Sequence, residues 1–362
     1  MQGKIITDIP PGENNPRNSE GAFIELADGT IMFAYSRFRG DHGGDDVDAD
    51  IVAIYSYDNG QSFKDMRTLF TKEELGAKNI MSVSFVRLDE KKLAIFHIVR
   101  MGFHDARLVM RVSSDEGKTF SDPGYCINYP GYFVTNNDRV VKLSDGKIFI
   151  PTAYHRCVGP DPMSWKSFSN KGVARFFYSD DDGDTFLEAP DFGALNMTTE
   201  TGLQEPGVVE IEEGHLFCYA RTDLGCQYIS HSYDYGMNWE PFVPSDFTSP
   251  ASPLSIKRIP GTEVFVAVYN PVPTPKDGPK YGWGRTPLVL RTSSDGCRTF
   301  SEPIVLEDDQ DSGYCYTAIH FTKENMLLAY CAGSHEDKGC LNRLRIRSIP
   351  IKELLKTPDH MI

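Results

Sequence analysis

An eight-residue pattern recurs five times along this chain, and it limits the possible folds more than any other feature. Ser56-Tyr-Asp58-Asn-Gly60-Gln-Ser62-Phe63 follows S-x-D-x-G-x-[TSN]-[FW]. Ser113 to Phe120, Ser179 to Phe186 and Ser232 to Trp239 repeat it. The fifth copy, Ser293 to Phe300, keeps Asp295 and Thr299 but has Cys297 where glycine is expected and Gly296 one place early, which predicts a different turn there. An aspartate in this setting accepts hydrogen bonds from nearby backbone N–H groups, glycine supplies a positive φ, and the aromatic packs the turn on its own sheet. The unit is therefore a hairpin turn.

The segments before the boxes, such as ADIVAIYS, ARLVMRVS, VARFFYS and PLVLRTS, alternate or run apolar and read as strands. Further strand pairs turn at Asp28-Gly29, Asp145-Gly146 and Glu213-Gly214. Each unit of about 60 residues then holds about four strands, the content of one propeller blade. A chain of 362 residues divides into about six such blades. The sixth lacks a box and would use MLLAYCAG and LRIRSIP, completed by an N-terminal strand near Lys4 to Thr7. The expectation is an all-β, six-bladed β-propeller forming a single domain over residues 1–362. KEELGA and IKELLK are the short helix candidates.

Charge narrows the function. With a net charge of −14, bulk electrostatic binding to nucleic acid or an anionic membrane is disfavoured, and any anion must meet a few focused basic groups. No apolar run approaches the roughly 18 residues of a membrane span. The start, MQGKIITDIPPGENN, lacks the pattern of a secretory leader. The sequence reads as cytoplasmic as written, and as secreted or periplasmic if a leader has been removed. The eight cysteines form no CxxC pair, which speaks against zinc ribbons, and most sit in apolar runs where a buried thiol is the simpler reading. No metal and no cofactor is expected.

The boxes at blade spacing resemble the Asp boxes of the sialidase (neuraminidase) superfamily. Similar boxes occur in other propellers, including sortilin-like receptors and photosystem assembly factors, so they point to the fold and are expected to be structural. Other segments resemble sialidase site elements in the same blade order. Arg17 precedes the strand AFIELADGT, and Arg37 follows 20 residues on in AYSRF, although the R-I-P that sialidases carry after the first arginine is absent. This departure suggests a BNR-repeat, sialidase-like branch. Glu205-Pro-Gly-Val-Val-Glu, running to Arg221, resembles the stretch that supplies a Glu and a second arginine. Gly284-Arg285 before the fifth box resembles the site of the third. Gly313-Tyr314-Cys-Tyr316-Thr-Ala-Ile319 resembles the family's Y-S-x-L, aligning Tyr316 with the nucleophile and leaving Tyr314 as its rival.

The resemblance implies an exo-acting, retaining glycoside hydrolase that releases a terminal sialic acid, or a related nonulosonic or ulosonic acid, from a glycoconjugate. The residue types fit that chemistry. Guanidiniums clamp a carboxylate through charge-assisted bonds. A neutral phenol escapes the repulsion that an anionic nucleophile would feel, and a neighbouring Glu can take its proton. The acid would come from the loop after Arg37, with Asp45 aligning best and Asp46 next. That loop could equally be a calcium site, although its spacing lacks the EF-hand pattern, or a solvated acidic turn. Arg139 and His155 bound a hairpin in blade three and could line the pocket, although a lone His is commonly structural. Trp165 and Trp283 could form sugar-stacking walls. Two other functions fit the same residues: a non-catalytic propeller that binds acidic glycans, and a glycosidase or lyase of other specificity.

Overall fold

The computed structural model describes residues 3–273 and 282–355. The strands form six blades of a β-propeller. Blade one runs Arg17–Glu25, Ile31–Arg39, Asp48–Ser56, Lys64–Phe70, each antiparallel to the next. Blade two follows with Asn79–Arg87, Leu93–Gly102, Asp105–Ser113 and Gly124–Tyr125. In blade three the short strand Val141–Lys142 pairs with Ile148–Cys157, followed by Phe168–Ser179 and Leu187–Glu188. The strand Tyr132–Val134 bridges blades two and three, parallel to one and antiparallel to the other, so these two share one sheet. Blades four and five begin at Gln204–Glu212 and Ser255–Arg258.

Blade six joins the two ends of the chain. Cys315–Phe321, Asn325–Cys331 and Leu344–Pro350 come from the C-terminal part, and Lys4–Ile9 supplies the outer strand in the register Lys4↔Ser348 to Ile9↔Leu344. The apolar side chains gather in six clusters, each lying between two successive blades, and one of them joins blade six to blade one through Phe23, Phe33, Leu327 and Ile346. A sheet with both faces apolar must be covered on both faces, and a ring of blades does that for every blade. Helix is minor among the described residues. KEELGA becomes a 3-10 turn at Glu73–Leu75, and IKELLK an α-helical turn at Ile351–Leu354, with Lys356 outside the described residues.

The boxes are the turns that lock blade to blade. The Asp58 carboxylate accepts from Ser56 Oγ (2.7 Å), Gln61 N (3.0 Å), Ser62 N (2.9 Å) and Ser62 Oγ (2.5 Å). Asn59 and Gly60 both have positive φ, and a Cβ on Gly60 would meet Leu327 of the neighbouring blade at 2.7 Å. The fifth box corrects the expectation of a different turn. Gly296 and Cys297 take the same two positive-φ positions, and the Cys297 N–H still reaches Ser293 Oγ at 3.1 Å. The glycine is displaced, yet the hydrogen bonds to Asp295 hold the turn in the common form.

One further backbone feature positions the site. The first, axial strand of several blades carries a bulge whose leading residue has positive φ: Glu20 (57°), Ser82 (61°), Glu205 (47°) and Tyr316 (57°). A bulge breaks the two-residue alternation and re-aims one side chain. Non-glycine residues rarely adopt this conformation, and where they do the strain is commonly held at a functional site.

Candidate active site

All four of those bulges line a cavity of about 310 Å³ at the propeller axis. From blade four, Glu205 projects beside Arg221 of the paired strand, whose Nη1 donates to both carboxylate oxygens at 3.0 Å. From blade six, the Tyr316 hydroxyl donates to Glu205 Oε1 at 2.9 Å, and Arg221 Nη1 stands 3.4 Å from the same phenol oxygen. From blade five, the Arg285 guanidinium lies 5.5 Å from the Tyr316 ring centre, donating from Nη1 to Cys315 Sγ (3.0 Å) and from Nη2 to the Ala251 carbonyl (3.3 Å). Asn137 braces two bulges at once, donating to the Gly21 carbonyl (2.9 Å) and the Tyr316 carbonyl (3.2 Å).

The electrostatics separate the titratable groups. Burial alone would raise Glu205, but the charge and hydrogen bond of Arg221, with Arg285 behind, hold it below the usual carboxylate range. Burial and the Glu205 charge push the Tyr316 phenol well above its ordinary value. Tyr316 is therefore neutral and Glu205 anionic at neutral pH, a donor and an acceptor already joined. Glu20, from blade one, behaves in the opposite way. Desolvation outweighs Arg17, and with the Asp45 and Glu205 charges nearby the carboxyl is pushed up to about 7.

The sequence-expected residues are distributed unevenly. Glu205, Tyr316, Arg221, Arg285, Asp45 and His155 line the cavity. Arg17 does not: its side chain is 1% exposed and lies beneath the wall, donating to Ser19 Oγ (2.8 Å), the Gly43 carbonyl (3.2 Å), Asp45 Oδ1 (2.6 Å) and Glu20 Oε2 (3.0 Å). Arg37, half-buried, is also outside the cavity wall. Asp46 points away toward His42. Arg139 is a tie between blades three, four and five, donating to the Leu254 carbonyl (2.6 Å) and Tyr219 Oη (3.1 Å). Tyr314 and Tyr316 do not share a face as strand alternation predicts. The bulge intervenes, and Tyr314 is packed in the apolar cluster between blades five and six.

His155 Nδ1–H donates to the Ser169 carbonyl (3.0 Å), and burial holds the imidazole to about 4, so it is neutral above that pH. Trp165 is half exposed, lines the cavity and packs on Phe103 at 4.7 Å, whereas Trp283 stacks on His335 elsewhere. Sequence reasoning missed Glu20 and Arg100, both in the wall. Arg100 lies over Phe103 and donates to the Asp45 carbonyl at 2.6 Å, fixing the acidic loop. The available signal for Glu20 was its place in the first strand of blade one, matching Tyr316 and Glu205 in theirs. A larger cleft of about 740 Å³ at the outer edge of blades four and five contains none of these arginines and neither member of the Tyr–Glu pair. Among the described residues, no group of three His, Cys, Asp or Glu side chains is arranged to hold a metal ion.

Comparison with known proteins converges on one group. The family described as a BNR repeat-like domain matches residues 29–328. A sialidase of Bacteroides fragilis is 23% identical over 270 residues, covering 70% of this chain and 43% of that protein, so the chain spans less than half the length of this curated relative. A Hadza microbial sialidase superimposes with a TM-score of 0.73 at 15% identity, over 94% of this chain and 67% of that one. For the Trypanosoma rangeli sialidase in complex with sialic acid the TM-score is 0.68 at 16% identity, over 98% and 58%. A Dyadobacter fermentans protein of unknown function gives 0.71 at 16% identity, over 96% of this chain and 98% of that one.

Proposed function

Since the chain belongs to the BNR repeat-like family and has the sialidase fold, we propose that it is a sialidase-family glycoside hydrolase, releasing a terminal sialic acid or a related nonulosonic or ulosonic acid from a glycoconjugate. The observation that carries this reading is the 2.9 Å bond from the Tyr316 hydroxyl to Glu205 inside an arginine-lined cavity. A cavity of about 310 Å³ accommodates one sugar with its substituents rather than a chain, which suits exo action. Arg285 and Arg221 orient the ligand carboxylate toward blades four and five. Glu205 takes the phenolic proton as Tyr316 Oη attacks the anomeric carbon, and the aglycone leaves as its oxygen is protonated by Asp45. In the second half, Asp45 as carboxylate draws a proton from water, which attacks the anomeric carbon from the face the aglycone left, while Glu205 returns its proton to the tyrosine. Two displacements give net retention.

The test is hydrolysis of an aryl sialoside beside its Kdn and Kdo counterparts, with proton NMR of the first-formed anomer. Release of one of these sugars with retained configuration is the expected result. Tight binding of an acidic sugar without cleavage would replace the enzyme with a glycan-binding propeller, and an inverted first product would remove the Tyr316 mechanism.

A further inference from the structure

The mechanism above leaves Glu20 without a task, although it is built into the wall at the blade-one position that Tyr316 and Glu205 occupy in their blades. Its Oε2 accepts from Arg17 Nη2 at 3.0 Å and lies 3.4 Å from Ser19 Oγ. From the 40–47 loop it faces Asp45, which shares Arg17 with it at 2.6 Å, and behind Asp45 stands Arg100. From blade four it feels Glu205, from blade six Tyr316, and from the bridging strand Tyr132. Arg17 already donates to four internal oxygens and does not reach the cavity. A ligand carboxylate held by Arg221 and Arg285 therefore meets, at the blade-one corner, a carboxyl group in place of a third free guanidinium.

We propose that Glu20 is a specificity-determining residue whose neutral form donates its O–H to the carboxylate of an acidic sugar, and whose ionised form keeps Arg17 occupied and repels that ligand. This rests on the acidic-sugar reading of the site. Desolvation, with the Asp45 and Glu205 charges, raises the Glu20 carboxyl to about 7 against the pull of Arg17. Glu20 thus changes state in the neutral range, whereas Glu205 is held low, His155 is held to about 4 and Tyr316 well above its usual value. Below about pH 7 Glu20 already carries its proton, and binding moves none. Above it, binding an acidic sugar must return a proton to Glu20, so affinity falls as pH rises.

Calorimetry with a 2,3-unsaturated sialic acid, which has the carboxylate but cannot be hydrolysed, reads this directly. The expected Kd is flat from pH 5.5 to 6.5 and weakens towards about tenfold per pH unit above pH 8. Titration at pH 8 in buffers of different ionisation enthalpy should show uptake of nearly one proton per sugar. In Glu20→Gln both the slope and the uptake should vanish, whereas a merely structural role would shift Kd equally at every pH. A slope that persists in Glu20→Gln overturns the proposal. The proton count in the unmodified protein decides the matter even if the variant folds poorly, because binding without uptake also overturns it. Binding that is strong but independent of pH removes the role of Glu20 and leaves the acidic-sugar reading standing. No binding at any pH removes both.

Discussion

Replacing Arg221 by Met tests whether the Glu205–Arg221 pair is a structural necessity as well as a ligand contact. The two side chains are 10% and 17% exposed and lie 3.0 Å apart. Removing one member of a buried pair leaves an uncompensated charge and costs about 3–5 kcal/mol. The Tyr316 hydroxyl and the Arg285 field remain to Glu205, so about 3 kcal/mol is expected near pH 7.5. The sign with pH follows from the native carboxyl, which is held below its ordinary 4.5 by Arg221 despite burial. Stability from a lowered carboxyl is present above 4.5 and lost as pH falls through the folded value. In Arg221→Met burial dominates, the carboxyl rises, and Glu205 can protonate at mildly acid pH. The deficit should therefore shrink markedly between pH 7.5 and pH 4. Urea unfolding followed by tryptophan fluorescence at both pH values measures it. A deficit under about 1 kcal/mol at pH 7.5, or one that is as large at pH 4, would mean that the buried Glu205 charge does not depend on Arg221.

Two further substitutions separate chemistry from scaffold. Tyr316→Phe should lower kcat on an aryl sialoside by at least about 10³-fold, or about 4 kcal/mol in barrier, with KM nearly unchanged, while Tyr314→Phe keeps kcat; equal kcat in the two variants would remove the nucleophile assignment. Asp58→Ala removes the acceptor of four hydrogen bonds at an exposed turn, so thermal or urea unfolding should show a loss of about 1–2 kcal/mol without a change in kcat/KM of the folded protein. A fall in kcat/KM there would mean that the box shapes the site.

The fold was legible because its evidence is local. Each Asp box encodes a hairpin turn in eight residues, and the interval between boxes counts the blades. Even the closing strand at Lys4–Ile9 could be placed, since a box-less sixth unit lacked a partner. The site was less legible because it depends on register. Strand alternation put Tyr314 and Tyr316 on one face, but the bulge at Tyr316 sends them to different surroundings. The same backbone slip turns Glu20 to the cavity, and beyond its place in the first strand of blade one nothing in Arg17-Asn18-Ser19-Glu20 announces it. Arg17 and Arg139 show the other limit. An arginine's place in the blade order is readable, whereas its burial against Asp45 or Leu254 is settled by segments distant in the chain. Cys297 shows that a composition rule for a turn yields to the hydrogen bonds around it.

If Tyr316 forms a covalent bond to the sugar, that bond can be trapped. A 2,3-difluoro sialic acid slows the second displacement more than the first, so the glycosyl-enzyme should accumulate. Mass spectrometry should show the protein heavier by one fluorosugar, and tandem fragmentation of the tryptic peptide Thr299–Lys323, which contains both tyrosines, should place it on Tyr316. An adduct on Tyr314 or on a carboxylate, or turnover of the unfluorinated sugar with no adduct formed, would mean that Tyr316 is not the nucleophile.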